Sequence, residues 1–253
     1  AAEYTCGVTE KSCSTSPATL LNQHCQCITL DEAQLGAALQ RETSSFGLSE
    51  LGVSHPHLFS RSAFFVDDET SSAMREVVAA VERVVTLPGY RERALADAHP
   101  NAQHDPKTLG VFLGYDFHLA DAGPQLIEIN TNAGGGLLNA FLRSAQRACC
   151  KPVAEAFGVA LDQTLSRFSG MFLHEWRLAR GDRPLARVAI VDDRPESQYL
   201  YPEFLLFARL MERQGVEALI CDAAELEVRD GQLWAGSVAV DLVYNRTTDF
   251  ALA

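Results

Sequence analysis

Residues 109–138 read LGVFLGYDFHLADAGPQLIEINTNAGGGLL, and this stretch determines how the rest of the chain can be organised. Apolar residues alternate with other residues from Val111 to Phe117, which is the period-2 pattern of a β-strand. Ala122-Gly123-Pro124 is typical of a turn, and residues 125–131 have the pattern of a second strand. The stretch therefore predicts a hairpin that leads into a glycine-rich loop and a helix.

The second predicted strand carries two oxygen-bearing side chains on one face. Strand geometry points Ile127 and Ile129 one way, and Leu126, Glu128 and Asn130 the other way. Polar groups at the end of an apolar strand are costly to desolvate unless something binds them. A carboxylate and an amide oxygen suit Mg²⁺, which shares its ligands with substrate phosphates. The pattern predicts Glu128 and Asn130 as metal ligands; the alternative is a plain hairpin with a capping Asn.

The segment Asn132-Ala-Gly-Gly-Gly136 follows this strand directly and precedes a predicted helix. Glycines tolerate positive φ, and the backbone N–H groups at a helix N-terminus form a ready anion site. We therefore expect the loop to bind an anionic group.

The two strands and the loop resemble those of eukaryotic-type glutathione synthetases and their circularly permuted ATP-grasp relatives. In that family a strand with an aspartate precedes a Glu-x-Asn-Thr strand that binds magnesium, and a small-residue loop at the substrate follows. The resemblance implies Glu128 and Asn130 as Mg²⁺ ligands, with Glu128 taking part in catalysis, and Asp116 as a substrate contact. It also implies substrate contacts from the loop residues Asn132, Gly134, Gly135 and Gly136. Gly114 replaces the family's arginine before the aspartate, and Asn-Ala-Gly-Gly-Gly replaces its serine-rich loop.

Residues 186–250 have a strand–helix–strand pattern, then a hairpin centred on Asp230-Gly231, and a last strand over 238–244. Crossover helices imply a parallel sheet whose ligands lie at the C-terminal ends of the strands. Arg246 follows the last strand, where it can clamp a carboxylate or phosphate; the alternative is a salt bridge with Asp249.

This segment resembles the substrate domain of the same family, whose Val-Tyr-x-Arg strand ends in a substrate arginine. The resemblance implies a substrate-binding and catalytic role for Arg246. It also implies substrate contacts from Glu196 and Gln198, although the order of residues in that loop differs from the family's Glu-Arg-Asn…Gln motif.

These patterns predict an α/β protein in two parts. Residues 1–180 form an α+β framework that contains the strand pair, with helices expected over 67–87, 90–98, 137–150 and 153–180. Residues 181–184 form a linker. Residues 185–253 form a Rossmann-like pre-ATP-grasp substrate domain with a parallel sheet.

Composition narrows the classes of partner. The 253 residues carry a formal net charge of −12, which argues against nucleic acid or an anionic membrane as the main partner. No apolar run reaches the roughly 18 residues of a transmembrane helix. Seven cysteines in a long chain with an ample core favour reduced thiols and a cytoplasmic location. Four of the cysteines lie in the first 30 residues, Cys6, Cys13, Cys25 and Cys27. They either form a metal or redox site or are buried thiols without such a role. The sequence does not decide whether the protein is a homo-oligomer.

The predicted function is an ATP-dependent carboxylate–amine ligase that uses Mg²⁺ and an amino-acid-like or peptide-like substrate. The relatives' nucleotide-binding half follows the Val-Tyr-x-Arg strand, so we expect this chain to be the N-terminal part of a longer protein. The alternative is a binding module of the same fold without turnover. A third hypothesis is a thiol-handling or metal-handling protein built on the first 30 residues.

Overall fold

The computed structural model describes residues 17–24, 28–42, 55, 57–60, 64–120, 122–148 and 160–248. The first part of the chain forms α1 (Pro17–His24), β1 (Ile28–Leu30), α2 (Glu32–Glu42), α3 (Asp68–Val85), α4 (Pro88–Leu95), β2 (Gly114–Ala120), β3 (Gly123–Asn130), α5 (Gly136–Ala145) and β4 (Gln146–Ala148). The second part forms α6 (Leu161–Arg180), β5 (Arg187–Asp192), α7 (Tyr201–Glu212), β6 (Glu217–Asp222), β7 (Leu226–Arg229), β8 (Gln232–Ala235), β9 (Val238–Val240) and β10 (Leu242–Asn245). The protein is of the α/β class, as predicted.

The hydrophobic core joins helices from the first part of the chain to the parallel strands of the second. Its members include aromatic rings from four elements, Phe141 on α5, Phe172 on α6, Phe207 on α7 and Tyr244 on β10. The rings of Phe172 and Tyr244 meet edge-on with centroids 4.9 Å apart. Such contacts add to the stabilisation that burial itself provides. The core thus includes residues from both sides of the 181–184 linker, and the two-domain division stays a prediction.

The parallel sheet has the strand order β10-β5-β6. Helix α7 connects β5 to β6, as the strand–helix–strand pattern predicted. The single strand predicted over 238–244 is in fact two strands, because Asp241 interrupts it. The Asp241 carboxylate accepts the N–H groups of Ala186, at 3.1 Å, and Arg187, at 2.9 Å. This leaves β9 in the sheet with β7 and β8, while β10 joins β5.

The predicted turn at Asp230-Gly231 is confirmed. Both residues have positive φ, 51° and 75°, which is the requirement of the two-residue type I′ hairpin turn. The turn joins β7 to β8, and β9 completes this antiparallel sheet.

The hairpin of β2 and β3 matches the predicted strand pair, with two differences. The first strand begins at Gly114 because the Phe112 ring turns into the core, 5.2 Å from the Phe168 ring and 5.5 Å from the Phe207 ring. In the second strand, a bulge pairs Leu126 with Phe117 and Glu128 with Asp116. The predicted alternation is therefore interrupted at Ile127, whose side chain is 65% exposed.

Helix α3 covers one face of the hairpin. Asp67 caps it by accepting the Thr70 N–H at 2.7 Å, and Asp68 and Glu69 occupy the first turn. Acidic groups there are favourable because of the helix dipole. The Tyr115 hydroxyl of β2 donates to Glu82 of α3 at 3.3 Å. Side chains of α3 are not fully buried, so the hairpin and α3 form an arm that is less tightly packed than the core.

The remaining helices differ from prediction mainly at their ends. Helix α5 stops at Ala145, because residues 146–148 form β4, which pairs with β1; neither strand was predicted. Helix α4 runs over Pro88–Leu95 rather than 90–98. Helix α6 begins at Leu161, and residues 153–159 lie outside the described residues. Among the described helices, none has the length and apolar character needed to cross a membrane.

Candidate functional site

The hairpin gathers three oxygen-bearing side chains on one face. Asp116 and Glu128 lie directly opposite each other in the register of β2 and β3, and Asn130 is two residues further along β3. The Asn130 side-chain N–H₂ donates to Glu128 Oε1 at 3.0 Å and approaches Asp116 Oδ2 at 3.5 Å. The structure thus brings together the two predicted metal ligands and Asp116, one of the predicted substrate contacts. We call these three residues the oxygen cluster.

The oxygen cluster is suited to a hard cation. Carboxylates opposite each other on a sheet repel, and here the amide of Asn130 contacts both of them. Mg²⁺ takes oxygen ligands from carboxylates and amides, and half a turn of the Asn130 amide would present its Oδ1 instead of its nitrogen. Over the described ranges, no group of three or more His, Cys, Asp and Glu side chains that could hold a metal is found. The cluster has two such residues and one amide.

The glycine loop after β3 is held by a buried carboxylate that the sequence reasoning missed. Glu203, in the first turn of α7, is only 1% exposed. Its Oε2 accepts the Gly135 N–H at 2.7 Å, and its Oε1 accepts the Leu137 N–H at 2.8 Å. The predicted anion site at the start of α5 therefore binds an anion, but this anion belongs to the protein. An acidic residue adjoining the apolar stripe of α7 was the only sequence signal for it.

Arg246 holds the first residues of the same loop. Its Nη1 donates to Asn132 Oδ1 at 2.6 Å, to the Ala133 carbonyl at 2.9 Å and to the Asn132 carbonyl at 3.3 Å. The side chain is 5% exposed, and its guanidinium carbon lies 5.4 Å from the centre of the Tyr244 ring. The alternative partner Asp249 lies outside the described residues. Arg246 thus fastens the loop to the end of β10.

One nitrogen of Arg246 is left without a partner. Its Nε–H is buried and makes no hydrogen bond to the described residues. A buried N–H that lacks a partner is costly, so a ligand oxygen at this position would be stabilised. Among the described residues around the loop, Arg246 thus provides a buried donor whose hydrogen-bonding capacity is unused.

Gly134 is required by close packing. A Cβ atom built at this position would lie 2.4 Å from Leu200 Cδ1, 2.7 Å from Arg246 Nη2 and 3.5 Å from Glu203 Oε2. Gly135 has a φ of 88°, in the left-handed region that favours glycine. Gly136 would place a Cβ 3.2 Å from the Phe112 ring. The three glycines therefore allow the loop to lie against the arginine and the core.

The loop lies at the C-terminal edge of the parallel sheet, where α/β proteins bind ligands. The Arg246 N–H donates to the Val191 carbonyl at 2.7 Å, which continues the pairing of β10 with β5. Asp192 ends β5 beside it and is 8% exposed. Burial raises the pKa of the Asp192 carboxyl, although the Asp193 N–H and the charge of Arg246 oppose this. Burial likewise raises the pKa of the Tyr244 hydroxyl.

The raised pKa of Asp192 gives a prediction with a definite sign. Burial favours the protonated acid in the folded state, so stability falls as the pH rises from the ordinary value of 3.8 through the folded-state pKa. The side chain at position 192 cannot ionise in Asp192→Asn. The stability of this variant relative to the native protein should therefore be higher at about pH 7 than at about pH 3.5. Urea unfolding at both pH values measures this. Asp193→Asn, at an exposed neighbour, is the control, and an equal response of both variants would contradict the expectation.

Among the described residues, neither Glu196 nor Gln198 makes a hydrogen bond to the glycine loop. Gln198 closes its own loop, since its side-chain N–H₂ donates to the Asp193 carbonyl at 2.5 Å. Glu196 is exposed and lines a pocket of about 400 Å³ with Tyr201 and Cys221. Burial raises the pKa of the Cys221 thiol to about 11, so this thiol is neutral at physiological pH.

Most of the lysines and the N-terminal cysteines lie outside the described residues. Of the three lysines, only Lys107 lies in the described part, where its ammonium group pairs with Asp105 at 2.8 Å in an exposed loop. The cysteines at positions 6, 13, 25 and 27 lie outside the described residues.

Comparison with known proteins gives no family assignment. No family model matches the sequence, and no curated protein matches it either. The resemblance to the permuted ATP-grasp enzymes therefore stays a prediction based on the motifs.

Proposed function

We propose that this chain is the metal-binding and substrate-binding part of an ATP-dependent carboxylate–amine ligase of the glutathione-synthetase-like, permuted ATP-grasp type. The observation that supports this most directly is the oxygen cluster on a hairpin whose last strand runs into a loop fastened by Arg246. The family motif contains the same succession of a strand pair, a loop and a strand-end arginine. The substrate class is a small amino-acid-like or peptide-like molecule, and the proposed location is the cytoplasm.

The residues of this chain would act by positioning and by electrostatics. Asp116, Glu128 and Asn130 would hold Mg²⁺, which when bound would neutralise phosphate charge. The free Nε–H of Arg246 would donate to a carboxylate oxygen of the substrate, and the cation would favour the negative charge that develops there. The glycine loop, fixed by Glu203, would keep that arginine in one orientation.

The first test is binding of Mn²⁺, which accepts the same oxygen ligands as Mg²⁺ and is detected by electron paramagnetic resonance. We expect one Mn²⁺ per chain and a loss of affinity of at least about 10-fold in Glu128→Gln, because a ligand loses its charge. Glu82→Gln changes a carboxylate on α3 that contacts Tyr115 rather than the cluster, and it should bind normally. Equal affinity in the native protein and Glu128→Gln would contradict the proposal.

A second candidate function is a binding module without turnover. Its support is that the chain itself satisfies most of the donors at the site: Glu203 accepts two loop N–H groups, and Nη1 of Arg246 contacts three loop oxygens. A module of this type would bind an amino acid or peptide through the Arg246 Nε–H without needing a cation. Ligand binding that is unaffected by chelator and by Glu128→Gln would favour it over the ligase.

A further inference from the structure

Two buried carboxylates hold the chain on either side of the hairpin. Glu203 of α7 accepts the N–H groups of Gly135 and Leu137, just after the hairpin. Glu175 of α6 is 5% exposed, and its Oε2 accepts the N–H groups of Leu109, at 2.6 Å, and Gly110, at 2.9 Å, just before the hairpin. Each carboxylate belongs to a helix of the core and each binds two backbone donors.

Each carboxylate also holds a glycine in a left-handed conformation. Gly110 has a φ of 94° and Gly135 a φ of 88°. Glycine at such a φ is a point where the backbone bends with little steric resistance. The N–H of each glycine is bound by a buried acceptor, so both bending points at the base of the hairpin are fixed to the core.

The two held segments also contact each other. The Ala133 N–H donates to the Phe112 carbonyl at 3.2 Å, and a Cβ built on Gly114 would lie 3.1 Å from that of Ala133. The Phe112 ring packs among the rings of the core. The base of the hairpin is therefore firmly attached, whereas its outer part contacts α3, which has no fully buried side chain.

We propose that Glu175 and Glu203 are positioning residues for the oxygen cluster, fixing the hairpin so that the three side chains keep one arrangement beside the loop and Arg246. This inference rests on the proposed function, because it assigns to the cluster a cation that must be held in a defined geometry. A functional site of this type depends on supporting groups that lock the orientation of its ligands.

The test compares Mn²⁺ affinity in the native chain, Glu175→Gln, Glu203→Gln and Glu212→Gln. Glu175→Gln and Glu203→Gln should each lose about 10-fold in Mn²⁺ affinity, which is the lower end of the range for supporting groups of metal sites. Glu212 lies on α7 and pairs with Arg209 at the surface, so its variant should bind normally. Circular dichroism and cooperative urea unfolding show that each variant is folded. If folded Glu175→Gln and Glu203→Gln both bind Mn²⁺ with native affinity, the positioning role is overturned while the proposed function stays intact.

Hydrogen exchange of the native chain provides a measurement that needs no variant and no metal. The N–H groups of Leu109, Gly110, Gly135 and Leu137 should exchange as slowly as those of β5, because buried carboxylates hold them. Rapid exchange of all four N–H groups would show that the two carboxylates do not hold the backbone at the base of the hairpin. If neither the native chain nor Glu128→Gln binds Mn²⁺, the proposed function fails, and the positioning role fails with it even where exchange is slow.

Discussion

Replacing Glu203 with alanine should destabilise the protein by about 2–6 kcal/mol, because it leaves two backbone N–H donors without their acceptor, at roughly 1–3 kcal/mol each. The donors are the N–H groups of Gly135 and Leu137, which lie 2.7 Å and 2.8 Å from the Glu203 oxygens. Urea unfolding of the native protein and Glu203→Ala measures the difference in the free energy of unfolding.

Two further variants make this result specific. Glu203→Gln keeps one acceptor oxygen but turns an N–H₂ group toward the other donor. Its loss of stability should therefore be smaller than that of Glu203→Ala but still measurable. Glu212→Gln, on the exposed side of the same helix, should change stability by less than about 0.5 kcal/mol. If Glu203→Ala is as stable as Glu212→Gln, the loop is not held by the carboxylate.

Gly134→Ala should destabilise the protein by about 1–3 kcal/mol, because the added methyl group would clash with two neighbouring side chains. The methyl carbon would lie 2.4 Å from Leu200 and 2.7 Å from the guanidinium of Arg246, so one of them must move. A shift of Arg246 would break its contacts with Asn132 and Ala133. Thermal and urea unfolding measure the loss.

The chain offers a matched control for this substitution. Gly170 lies within α6, and a Cβ built there would meet nothing within 4 Å. Gly170→Ala should therefore stabilise the protein by up to about 1 kcal/mol, since alanine is the better helix former. Opposite signs for the two variants are expected; a Gly134→Ala variant as stable as Gly170→Ala would contradict the clash at Gly134.

The sequence predicted the local elements well where one signal dominated. Period-2 alternation located the hairpin, and the parallel strands followed from short apolar runs separated by a helix. Asp230-Gly231 specified its turn because few residue pairs accept two positive φ values. Glu128 and Asn130 were predicted to share a face, and the register of β3 agrees.

Long-range contacts account for what the sequence could not predict. Glu203 and Glu175 read as ordinary helix surface acids, and only the tertiary fold brings each within reach of N–H groups more than sixty residues away in sequence. The interruption of the predicted last strand came from Asp241, whose partners lie at the start of β5. The bulge at Ile127 has no local sequence signal, since either strand alone reads as regular.

The most direct test of the proposed ligase is Mg²⁺-dependent release of ADP by the complete natural gene product, in the presence of amino acids and small peptides. The account predicts that ADP is released only with Mg²⁺ and substrate, and that Glu128→Gln lowers the rate by up to about 100-fold while the protein remains folded. ADP release at the native rate by folded Glu128→Gln, or its complete absence from the native gene product under these conditions, would contradict the account.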